Sequence, residues 1–118
     1  MADRLSAYAE FWPYYLREHA KPETRALHYV GTGLALSCVA CIFLFGDYRW
    51  IFGALFSGYL FAWIGHFFIE KNRPATFTYP LWSLVSDFRM FFYWITGRLG
   101  RELEKAGVRR IDAPGKRA

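Results

Sequence analysis

Ala26-Leu-His28-Tyr-Val-Gly31-Thr-Gly-Leu-Ala35-Leu-Ser-Cys38-Val-Ala-Cys41-Ile-Phe-Leu-Phe45 runs for 20 residues without a formal charge. Trp50-Ile-Phe-Gly-Ala54-Leu-Phe-Ser-Gly58-Tyr-Leu-Phe-Ala62-Trp-Ile-Gly65-His66-Phe-Phe-Ile69 repeats the pattern for 20 more. Only Gly46-Asp-Tyr-Arg49, a tight polar turn, separates them. Each run has about the 20 apolar residues that a helix needs to cross a hydrocarbon core. The competing reading is a buried hairpin in a soluble bundle, but two such runs are hard to cover in a chain of 118 residues. The pattern therefore predicts a transmembrane helical hairpin. Gly31, Ala35 and Cys38 on the first run, and Ala54, Gly58, Ala62 and Gly65 on the second, follow helical spacing. Small residues so spaced let helices approach closely in lipid.

The flanks differ in kind. Residues 3–19 read as an amphipathic helix, with Leu5, Tyr8, Phe11, Trp12, Tyr15 and Leu16 at three- and four-residue spacing. It either packs on a partner helix or lies in the membrane interface, where Trp and Tyr favour the headgroup level. Pro13 falls inside it and predicts a kink or two short helices. Phe77–Thr96 is apolar and aromatic but carries Asp87 and Arg89, which makes it a poor simple span. An interfacial or re-entrant helix, or one shielded by the hairpin, suits it better. The expected fold class is thus all-α: an integral membrane helical bundle with a central transmembrane hairpin and flanking amphipathic or interfacial helices. Residues 1–106 form a single membrane-embedded domain in this reading, and 107–118 a basic, disordered tail.

Charge narrows the partners. Lys and Arg number 15 against 10 Asp and Glu, for a net charge of +5. The bases flank the apolar runs instead of forming a stripe, which argues against nucleic acid. Arg4, Arg17, Lys21 and Arg25 precede the hairpin and ten bases follow Ile69, whereas its turn holds only Arg49. The positive-inside rule then puts both termini in the cytoplasm, whether the membrane is a bacterial inner membrane or the endoplasmic reticulum. The first 26 residues, charged and aromatic, do not read as a signal peptide. Cys38 and Cys41 have C-x-x-C spacing, but within an uncharged apolar run a thiolate is costly, so they read as packing residues. Oligomeric state leaves no trace in the pattern.

Chemistry concentrates on the three histidines, His19, His28 and His66. His28 lies about nineteen residues before the middle of the hairpin turn and His66 about eighteen after it, so a rise of about 1.5 Å per residue brings them to one depth. His19, just across the break at Pro22, can fold back to the same level. Glu70 is four residues from His66 and shares its helix face. Neutral imidazole is the commonest metal ligand. Imidazole with carboxylate suits non-haem Fe(II), Zn or Mn. The residues alone point to a membrane-embedded metal site and leave the metal open. Three other readings stand beside an oxygenase: a Zn hydrolase with Glu70 as base, a non-catalytic membrane protein binding lipid or a partner, and bis-His haem ligation.

Two elements carry a resemblance. Glu18-His19…Pro22…Arg25-Ala-Leu-His28-Tyr-Val-Gly31 and Gly65-His66-Phe-Phe-Ile-Glu70-Lys-Asn-Arg-Pro74-Ala75 resemble the signatures of the MPO-like family, small membrane proteins once listed as a domain of unknown function. Pro80-Leu-Trp-Ser-Leu-Val-Ser-Asp87-Phe-Arg89-Met is similar to the family's later segment, so the likeness covers roughly residues 5–100. Lys21 and Thr24 stand where the family often has asparagine. The family's fungal member is a 2-hydroxy fatty acid dioxygenase. The resemblance implies Fe(2+)-dependent α-oxidation, in which a 2-hydroxy fatty acid and O2 yield a product one carbon shorter. It implies His19, His28 and His66 as iron ligands, and Glu70 as a fourth ligand or as the group that orients His66. A carboxylate substrate needs a cation, and Arg25, Lys71 and Arg73 are candidates, the arginines favoured for bidentate contact. The acyl chain would enter from the bilayer among aromatics such as Phe67 and Phe68.

Overall fold

The computed structural model describes residues 5–108, and the expected tail lies outside them from residue 109 onward. Within this range the chain is all-helical, in two compact units. One unit is Glu23–Pro74. The other joins the segment ending at Pro22 to the segment beginning at Ala75.

The Glu23–Pro74 unit is the hairpin. Helix α2 spans Pro22–Phe45 and α3 spans Trp50–Ile64, and α3 continues as a π-helical turn, Gly65–Glu70. Pro22 opens α2, where its fixed φ and missing N–H cost nothing, and Glu23 in the first turn complements the helix dipole. Gly46 ends the helix with φ 63°, a left-handed turn that glycine adopts without penalty. The Asp47–Arg49 ion pair at 3.0 Å fixes the turn to α3. The two helices pack through small residues. A Cβ on Gly31 would meet the Ser57 carbonyl oxygen at 3.0 Å and the Phe61 Cβ at 3.1 Å. One on Gly53 would meet the Cys38 sulfur at 3.0 Å. Ala54 and Ala62 are buried as expected, but Gly58 faces open space, and the close approach to Cys38 falls on Gly53 instead.

Both helices are long and apolar enough to cross a membrane, by length and composition. Little of either is covered by the rest of the chain. Only 17% of the most apolar window of the first, and 22% of the second, is buried. Phe43, Leu44, Phe52, Phe56 and Phe68 are all more than 60% exposed.

The other unit packs α1 (Tyr8–Arg17), α4 (Pro80–Ile95) and α5 (Leu99–Ala106), with a 3-10 turn at Ala75–Phe77 leading into α4. The amphipathic helix expected over 3–19 is α1, which runs through Pro13 as one element. Its apolar stripe packs on partner helices: Phe11, Trp12, Tyr15 and Leu16 are buried. Phe11 sits 5.2 Å from Tyr79 and 5.6 Å from Trp82, ring to ring. The polar atoms of the aromatics are used as well. Tyr8 hydrogen-bonds Ser86 at 2.8 Å, and the Trp12 indole N–H donates to Glu102 at 2.9 Å. The two charges that make residues 77–96 a poor span are met inside this unit. The Tyr15 hydroxyl donates to Asp87, and the Arg89 guanidinium lies 4.2 Å from the centre of the Trp12 ring. At 16 residues, α4 reaches about 24 Å, short of a hydrocarbon core of about 30 Å. Burial pushes the Asp87 carboxyl up to about 7, against the opposing hydrogen bond from Tyr15.

Candidate metal centre

His28 and His19 are each held by a backbone carbonyl four residues back. His28 lies on the second turn of α2 and hydrogen-bonds through Nδ1 to the Thr24 carbonyl, one turn back, at 3.1 Å. His19 follows α1, and its Nδ1 meets the Tyr15 carbonyl, again four residues back, at 2.7 Å. The ring of Tyr15 also lies 4.1 Å from the His19 ring.

His66 depends on an irregular backbone. The π-helical turn Gly65–Glu70 ends at Lys71, which takes the left-handed conformation, φ 62°. That state costs a non-glycine residue about 1 kcal/mol or more. It returns the chain so that the Asn72 backbone N–H bonds the His66 carbonyl at 2.9 Å and the Asn72 side-chain oxygen reaches His66 Nδ1 at 2.7 Å. Interruptions of this kind in helices are frequent at functional sites.

The three contacts have one chemical consequence. In each ring Nδ1 faces a carbonyl-type oxygen, which can only accept, so Nδ1 carries the proton and Nε2 carries the lone pair. Metal-binding histidines are oriented in this way, with one ring nitrogen donating to a carbonyl while the other is presented to the ion. The rings of His28 and His66 are 5.1 Å apart and nearly perpendicular. His19, His28 and His66 are at most 5% exposed. They form a group whose candidate ligand atoms lie within 4.8 Å of one another and which could hold a metal ion.

The other expected site residues stand outside that group. Glu70 ends the π-helical turn half-buried, close enough to His66 for its charge to act on the ring. Arg25 is half-buried on the first turn of α2, while Lys71 and Arg73 are exposed. Asn72 is the residue that sequence reasoning missed. It sits between two bases in a stretch that reads as a charged helix end, and its role depends on the left-handed Lys71.

The fold and these residues define a class: an all-helical protein with two candidate membrane spans and a buried three-histidine group. Residues 5–99 match the family described as 2-hydroxy-palmitic acid dioxygenase Mpo1-like. The chain belongs to that family, as its histidine signatures suggested. Neither a curated protein nor a solved structure matched it. The family name points to a role related to 2-hydroxy fatty acid oxygenation.

Proposed function

We propose that this protein is an Fe(2+)-dependent dioxygenase that shortens 2-hydroxy fatty acids by one carbon at a membrane interface. The observation that carries the reading is the common tautomer of the three buried imidazoles, each with Nδ1 tied to an oxygen and Nε2 presented as a lone pair. Imidazole donors suit Fe(II) as well as Zn, and the family name favours oxygen chemistry over a Zn hydrolase. Bound there, the iron would supply redox chemistry toward O2, with coordination positions left for substrate.

The chain's own groups do the rest in this reading. The carbonyls of Tyr15 and Thr24 and the side chain of Asn72 lock the three rings. Arg73 and Arg25 receive the substrate carboxylate, with Lys71 adding positive charge, and Glu70 tunes His66. The α2–α3 hairpin spans the bilayer with both termini on the cytoplasmic side. An amphiphilic substrate keeps its tail in lipid beside Phe67 and Phe68 while its head meets the histidines. The low burial of both long helices supports this placement.

The test is anaerobic Fe(II) loading of purified protein, then addition of O2 and a chain-length series of 2-hydroxy acids, with products read by mass spectrometry. An oxygen-dependent product one carbon shorter is expected. Metal-loaded protein that leaves every 2-hydroxy acid intact would refute the assignment.

A further inference from the structure

Among the described residues, two buried side-chain hydroxyls lack a hydrogen-bond partner, those of Thr24 and Ser83. A buried polar atom left unpaired is costly and calls for a reason. Ser83 lies on α4, away from any histidine in sequence. Thr24 is different. It is fully buried, and its carbonyl is the group that holds His28 Nδ1. Its side chain also stands against Gly65, the residue before His66, where a Cβ on Gly65 would meet the Thr24 methyl at 2.9 Å. The methyl is the nearest atom, so the hydroxyl is turned away from the Gly65 backbone. Thr24 thus holds His28, lies against the residue before His66 and has one unpaired polar atom.

We infer that the Thr24 hydroxyl hydrogen-bonds the 2-hydroxyl group of the substrate and so selects 2-hydroxy acids over unsubstituted fatty acids. This rests on the substrate class proposed above. A hydroxy acid supplies the partner that Thr24 lacks. An unsubstituted acid leaves that buried hydroxyl unpaired, and sites built to bond a substrate hydroxyl discriminate strongly on this ground. Thr24 is a specificity residue in this account and carries no proton in the reaction.

The test compares binding of 2-hydroxyhexadecanoate and hexadecanoate to the full-length, Fe(II)-loaded protein under anaerobic conditions, where no turnover intrudes. Wild type should prefer the hydroxy acid by roughly ten- to a hundredfold, the scale set by one unsatisfied buried hydroxyl. Thr24→Val keeps the branched shape and removes the hydroxyl. It should lose the preference by binding the hydroxy acid more weakly, while hexadecanoate binds as before. Its thermal midpoint in the ligand-free state should be unchanged or higher, because an unpaired buried group has gone. Thr24→Ser should retain the preference, and Thr24→Ala substitutes as the hydroxyl-free variant should the valine protein misfold. A preference that survives in the hydroxyl-free variants overturns the role of Thr24 and leaves the proposed activity standing. A wild type that binds both acids equally also overturns the role of Thr24, and one that binds neither acid overturns the substrate class as well.

Discussion

The two units of this protein use their aromatic residues in opposite ways. In the α1–α4–α5 unit, Phe11 and Tyr15 are at most 1% exposed, and rings pack on rings. In the hairpin, Phe52 and Phe56 are each 66% exposed, and the helices meet through Gly31, Gly53 and Cys38. The first pattern is that of a core which excludes water by its own packing. The second leaves the outer apolar faces of the helices uncovered by the chain, and close backbone approach replaces side-chain burial where they meet. The histidines lie near the ends of elements, His28 at the start of the hairpin and His66 at its finish.

The sharpest way to break this contrast is truncation. Phe11→Ala should cost about 3–5 kcal/mol, the range for emptying a packed aromatic site. Phe56→Ala, on the exposed hairpin face, should stay within about 0.5 kcal/mol by the same detergent unfolding assay. Equal losses would erase the distinction. A smaller effect is expected at the centre itself. Asn72→Ala removes the group that orients His66 and should weaken metal affinity about 10–100-fold, read by competition with a chelator, with the helical content retained. A last effect concerns pH. Folded Asp87 holds its proton up to about 7, whereas the unfolded chain releases it near the ordinary 3.8. Its contribution is therefore fully present below 3.8 and lost as pH rises through about 7. Thermal midpoints should fall over that window, and Asp87→Asn should flatten the slope.

Much of the hairpin was legible because it depends on length and charge alone. Runs ending at Phe45 and starting at Trp50 became helices with those boundaries. The pairing of His28 with His66 was legible too, since helical rise converts sequence distance into position. What escaped were features set by the backbone or by distant partners. Gly53 points its Cβ position at Cys38 of the facing helix, whereas Gly58 meets that helix only through its carbonyl beside Gly31, because contact depends on the rotation of two helices about their axes. Asn72 reaches His66 only through a π-helical turn and a left-handed Lys71. Tyr15 meets Asp87 across 72 residues of chain, beyond any local pattern.

The central claim is that the three imidazoles together hold one iron. Equilibrium Fe(II) binding, measured anaerobically on wild type and on His19→Ala, His28→Ala and His66→Ala, tests it most directly. The account predicts one iron per chain in wild type and loss of tight binding in each variant, with helical content preserved. Stoichiometric, undiminished iron binding in any of the folded variants would contradict it.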